Sequence, residues 1–225
     1  MGEPTTVWLC NEHGRSWPLD VPDDSSEAPL PLELSARVRA WTRRFEAHHD
    51  PERGWPTHAH RAASFVEGLQ LEKALQAAVD PGVEIRFAHW ESIVDGQDPA
   101  LFDIAADRLD ELSPTDCLIQ VNGRQIIRGS EVRMFDEYSV SWPFWARDGL
   151  LDPEDFPLPD QLTRQILAWT RDFDLNYDHE RGWPTAEHRE ASHQEGLRLA
   201  DEVQSVVGPD VIIDFQYWET GVDDR

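Results

Sequence analysis

An α+β fold is expected: two tandem β-α-α-β repeat units related by pseudo-twofold symmetry, with a helix and a β-hairpin inserted between them. Three observations predict it. Glu52-Arg53-Gly54-Trp55-Pro56-Thr57 returns unchanged as Glu180-Arg181-Gly182-Trp183-Pro184-Thr185, 128 positions later. Residues 30–91 and 158–219 align around that string without a gap, and 31 of the 62 positions are identical. In each copy the apolar residues recur first at helical period and then in alternation, the helix-to-strand signature. Self-similarity at a fixed offset sets architecture before any single propensity does.

Each copy opens on a short strand, Val7 to Cys10 and Val132 to Phe135, leading to Ser16-Trp17-Pro18 and Ser141-Trp142-Pro143. The second copy then has a longer acidic connection, Asp148 to Pro159, whose prolines mark an ordered loop. The first helix follows Pro31 or Pro159. Leu34, Val38, Trp41 and Phe45 make one apolar stripe, matched by Leu162, Ile166, Trp169 and Phe173. Arg37, Arg39, Arg43 and Arg44 lie off the stripe and are expected in solvent.

Next comes the repeated hexapeptide. Gly54 ends a chain reversal, Pro56 stops the preceding conformation, and Thr57 caps a helix beginning at residue 58. Ser64, Gly68, Leu71, Leu75 and Val79 form the inner stripe of that helix, with Ser192, Gly196, Leu199, Val203 and Val207 as counterparts. A glycine inside a helix costs about 1 kcal/mol relative to alanine. Its retention in both copies implies a bulky neighbour, with Trp41 or Trp169 as the candidate. Val83, Ile85 and Phe87, and Val211, Ile213 and Phe215, alternate as closing strands that end at Trp90 and Trp218. Between the copies, residues 99–112 read as a helix through Leu101, Ile104, Ala105, Arg108 and Leu109. Cys117–Val121 and Gln125–Arg128 flank Asn122-Gly123, a two-residue hairpin signal, and the hairpin is expected to extend the second sheet. The divisions are therefore 1–95, 96–129 and 130–225.

Charge is the strongest compositional signal, with 44 acids against 20 bases and a net −24. Residues 1–95 carry −7, residues 96–129 carry −3, and residues 130–225 carry −14. Such a field repels nucleic acid and anionic membrane and speeds encounter with a basic protein. Lys73 is the only lysine beside nineteen arginines, a bias typical of GC-rich coding. Neither a leader segment nor an apolar run of membrane-spanning length is present, and the two cysteines, Cys10 and Cys117, have no partner in the repeat. A reducing cytoplasm is the expected location.

The chemistry-bearing residues point away from catalysis. Nine histidines include only one matched pair, His60 and His188, and His58-Ala59-His60 lacks the i, i+4 spacing of a helical zinc site. His60 and Glu67 share a helix side but lie about 10 Å apart by rise, too far for a direct hydrogen bond. The same holds for His188 and Glu195. Glu67 is expected to pair with a nearby arginine, Arg53 being the candidate. There is no nucleophile elbow, phosphate-binding glycine loop or paired Cys motif, so neither a cofactor nor a metal is expected. The hexapeptide serves reversal, anchoring and capping; its Arg53, Trp55, Arg181 and Trp183 are the candidate binding residues. The acids Asp148, Asp152, Glu154, Asp155, Asp172, Asp174, Asp178 and Glu180 complete the candidate contact set.

These features resemble a group of actinobacterial proteins without an assigned activity. The likeness rests on Ser141-Trp142-Pro143, Asp152-Pro153-Glu154-Asp155, Leu30-Pro31-Leu32, Trp41, Gly54-Trp55 and Glu67-Gly68. It spans both repeats and omits 96–129, and it implies shape but no catalytic residue. Three functional classes remain, in this order. The first is an acidic, non-enzymatic binding protein of the immunity or antitoxin kind, neutralising a basic partner such as a nuclease toxin. The second is a structural or self-associating scaffold. The third is an enzyme with a cleft between the repeats, using His60, His188, Glu67 and Glu195. Oligomeric state is left open.

Overall fold

A computed structural model describes residues 5–20, 30–89, 103–147 and 149–217. The fold is mixed α+β. The chain divides into two compact units, Met1–Asp98 with Asp107–Leu118, and Pro99–Ala106 with Ile119–Arg225. Residues 96–129 therefore contribute to both units.

In the first unit, β1 (Thr5–Leu9) is the middle strand of a three-stranded sheet. It runs antiparallel to β2 (Leu19–Asp20) and parallel to β3 (Val83–Phe87), in the register Val7↔Ile85 and Leu9↔Phe87. Parallel neighbours need a crossover, and here it is the helix pair α1 (Leu32–His48) and α2 (His58–Ala78). Alternation puts Val7, Leu9, Ile85 and Phe87 inward, while Trp8 is 47% exposed on the other face. The α1 stripe buries Leu34, Val38, Trp41 and Phe45 as its spacing requires, and the expected Thr57 cap accepts from His60 N at 3.2 Å. Trp41 Nε1 donates to the Ser64 carbonyl at 3.0 Å, tying the two helices together.

The neighbour that excludes a side chain at residue 68 is Phe87, not Trp41. A Cβ there would press into the Phe87 ring, 2.6 Å from Cε2, because the closing strand brings its last aromatic under the helix. Trp41 packs edge-on against that ring at 5.8 Å. A second device was invisible to apolar periodicity. Gln76 accepts from Ile85 N at 2.8 Å and donates to the Val83 carbonyl at 2.9 Å, and Glu72 accepts from Phe87 N at 2.8 Å. Helix side chains thus occupy the outer hydrogen-bonding groups of edge strand β3, which would otherwise invite pairing with another chain.

The second unit centres on β7 (Ser130–Met134), parallel to β10 (Val211–Phe215) and antiparallel to β8 (Phe144–Ala146), which pairs with β9 (Gly149–Leu150). The crossover is α4 (Asp160–Asn176) and α5 (Ala186–Val207). Leu162, Ile166, Trp169, Leu199, Val203, Val132, Met134 and Phe144 share one core. Trp169 Nε1 donates to the Ser192 carbonyl at 2.9 Å, and Gln204 serves Ile213 N and the Val211 carbonyl at 3.0 and 2.8 Å. At Gly196 a Cβ would meet both Phe215 Cζ at 2.5 Å and Trp169 Cζ2 at 2.7 Å, so the expected tryptophan is half of the answer. The acidic connection, expected as a loop, holds β9 and buries Leu151 and Phe156 in the core.

The insert differs from its expected form. Among the described residues its helix, α3, is only Ala106–Leu109, and Asp103–Ile104 is a strand, β4, paired with Ser130 and Glu131 of β7. The β8 pairing reaches only Arg133 and Met134, so β4 covers the half of that edge still open. Leu101 lies outside the described residues, as do Trp90 and Trp218. The hairpin forms as β5 (Leu118–Val121) and β6 (Arg124–Ile127), with Asn122 at φ 47° and Gly123 at φ 87°. It does not extend the second sheet; it is a separate two-stranded sheet whose Val121 and Ile126 enter the second core. Cys10 and Cys117 are not joined in a disulfide, and burial raises the Cys117 thiol above its ordinary range.

Candidate functional site

The hexapeptide is built the same way in both units. Asp50 Oδ1 accepts from Glu52 N at 2.8 Å and Arg53 N at 2.9 Å, and Asp178 Oδ1 accepts from Glu180 N at 2.9 Å and Arg181 N at 3.0 Å. These backbone bonds hold both carboxyls below the ordinary aspartate range. Asp50 and Gly54, like Asp178 and Gly182, then exchange main-chain hydrogen bonds across a reversal that needs Gly54 and Gly182 at φ 72°. Trp55 packs edge-on to Phe45 at 5.8 Å and His49 at 5.2 Å, while Trp183 lies against Phe173, Tyr177 and His188 at 5.8, 5.6 and 4.9 Å. Both tryptophans are half-buried anchors, whereas Arg53 and Arg181 stand in solvent.

The predicted acids fall into separate groups. Asp152, Glu154 and Asp155 form a turn before α4, closed by Asp155 N donating to the Asp152 carbonyl at 2.9 Å. Arg124 Nε donates to the Glu154 carbonyl at 2.6 Å, leaving the Glu154 side chain exposed. Asp172, Asp174, Asp178 and Glu180 gather at the other end of α4, about 20 Å away by helical rise. That helix has no basic residue in its last turn, although its C-terminal dipole favours one. Asp174 Oδ1 accepts from Ser139 N at 3.1 Å, fixing a residue at φ 64°, and Tyr138 beside it is 39% exposed. Asp148 lies outside the described residues.

The matched histidines differ in their partners. His60 Nδ1 lies 2.8 Å from Thr57 Oγ1, and its ring is 4.7 Å from that of His48. His188 Nε2 lies 2.8 Å from Asp172 Oδ2. The glutamates differ too. Glu67 pairs with Arg44 of the neighbouring helix, not Arg53, because the side chains facing across α1 and α2 are closer than those of the loop. Glu195 pairs bidentately with Arg198, at 2.8 and 2.6 Å, one turn along its own helix. That pairing keeps the Glu195 carboxyl below the ordinary glutamate range. Beside it, Gln165, Trp169, Asp172, His188, Ser192 and Glu195 line a notch of about 320 Å³ between α4 and α5. Sequence reasoning named Trp169, Asp172, His188, Ser192 and Glu195 singly but missed the notch; the exchange of Arg44 for Asp172 in the repeat alignment was the available signal.

Among the described residues no group of three or more His, Cys, Asp and Glu is placed to hold a metal, and no helix is long and apolar enough to cross a membrane. The family model described as Serratia CdiI immunity protein-like matches residues 130–218. That span runs from β7 to just past β10. No curated protein matches the chain.

Proposed function

We propose that this chain is a non-enzymatic immunity protein that binds and neutralises a protein toxin in the cytoplasm, and that the toxin is basic. The family match over residues 130–218 carries the first part of this reading. Charge supports the second, since residues 130–225 hold −14 of the net −24. The contact set is the Asp152–Asp155 turn and the acids at the end of α4, with Arg53, Trp55, Arg181 and Trp183 on the hexapeptide loops. Acids at a helix C-terminus oppose the dipole and cost stability. Their presence on α4 is explained by a partner that reads them. Asp172, Asp174 and Asp178 also take hydrogen bonds within the chain, from His188 and Asn176, from Ser139 N and from the hexapeptide turn.

The test is co-expression with the product of the adjacent reading frame. Growth arrest by that product, relieved by this chain and accompanied by a stable complex, is the expected result. Raising NaCl from about 50 to about 500 mM should weaken the complex at least tenfold. Continued growth arrest with no complex would remove the immunity reading. A complex indifferent to salt would remove the basic partner alone.

A further inference from the structure

We propose that the notch between α4 and α5 is a socket for one guanidinium, the side chain of an arginine on the protein partner. The inference rests on the immunity reading for the source of that arginine, and on this chain's own residues for the chemistry. In the first unit, Arg44 of α1 lays its guanidinium on Glu67 of α2. The aligned second copy keeps the glutamate as Glu195 but has Asp172 where Arg44 stood. In the second unit Glu195 takes its guanidinium from Arg198 of its own helix, and on the side of Asp172 the two carboxylates line an opening of about 320 Å³.

The polar groups around the opening match that ligand. Asp172 is engaged by His188 Nε2 at 2.8 Å and by Asn176 Nδ2 at 2.9 Å, and no arginine or lysine reaches it among the described residues. Arg198 serves both Glu195 and Glu202, so one cation answers two carboxylates. Ser192, 4% exposed, lines the opening, and its buried Oγ, like that of Ser64 in the first unit, has no hydrogen-bond partner among the described residues. Trp169 contributes an indole to the same wall. Carboxylate oxygens around the opening suit the planar, multiply donating guanidinium better than the compact lysine ammonium.

The experiment is a titration of the full-length chain with N-acetyl-arginine amide, followed by NMR at the indole N–H of Trp169, assigned with Trp169→Phe. A saturable shift is expected, with binding about fivefold weaker for N-acetyl-lysine amide. Asp172→Arg should fill the socket from within, as Arg44 does in the first unit, and abolish the shift while the circular dichroism spectrum stays unchanged. Asp172→Asn, which keeps the volume and removes the charge, should weaken binding and serves if the arginine variant does not fold. No shift, equal response to both amides, or a response that survives both substitutions overturns the socket. Toxin binding untouched by Asp172→Arg would overturn the socket as a partner contact and leave the immunity reading standing. An arginine response in a chain that binds no toxin would do the reverse.

Discussion

Gly68 and Gly196 show how one missing methyl group sets the distance between a helix and the strand beneath it. Alanine is a better helix former by about 1 kcal/mol, yet Phe87 is 4% exposed and hemmed by Trp41 and Phe65, so its ring has no free direction in which to move. Gly68→Ala is expected to lose about 1–3 kcal/mol in urea unfolding, and adding Phe87→Leu should restore most of it. Equal stability of Gly68→Ala and the parent would refute the contact. Asp50 and Asp178 act differently, through charge. Their carboxyls titrate lower in the folded chain than the ordinary 3.8, so the stability they confer is complete above that value. It is lost as pH falls from there through the lower folded value. Asp50→Asn with Asp178→Asn should therefore flatten the acid limb of a Tm-against-pH curve below about pH 4 and leave its slope above pH 6 unchanged. Both turns were legible as reversals from Gly-Trp-Pro-Thr. The aspartates that lock them were not, because they lie ahead of the repeated string.

The helices were readable because one face of each is committed to a core, and that commitment leaves a 3.6-residue stripe. Strands β2, β8, β9 and β4 were not. Two or three residues cannot display alternation, and their positions depend on which edge of β1, β7 or β8 is open. Ile104 looked like a helix position until Asp103–Ile104 found backbone partners on β7. That pairing has a cost. Asp103 stands directly across from Glu131, with Asp214 near the same group, and burial beside those charges raises the Glu131 carboxyl above its ordinary range. An acid raised on folding is more easily protonated in the native state, so stability falls as pH climbs from the ordinary 4.5 through the folded value. Glu131→Gln should raise Tm at pH 7 and have little effect at pH 4, checked by thermal melts at both. A lowered Tm at pH 7 would mean that Arg133 outweighs the two aspartates.

Across the whole molecule, net −24 on 225 residues is a standing self-repulsion. Raising NaCl from about 10 to about 150 mM shortens the screening length from about 30 to about 8 Å, and Tm is expected to rise with it. A fall would show that local ion pairs such as Arg44–Glu67 and Lys73–Asp110 dominate the balance. The charge itself was plain from composition, and so was its weighting toward the second half. The notch was not, since the i, i+4, i+7 spacing puts His188, Ser192 and Glu195 on one face of their helix but does not say that Asp172 of the other helix meets them there.

The parallel pairing of β1 with β3 and of β7 with β10 also sets a timetable. Each sheet joins an early segment to a late one, so neither can close while its far strand is still inside the ribosome. Phe87 emerges long before Phe215, and the first sheet can zip up while the second still waits for its last partner. During that interval the Val132–Met134 strand is a naked flank in a nascent chain, and it is there that synthesis is most exposed to misassembly.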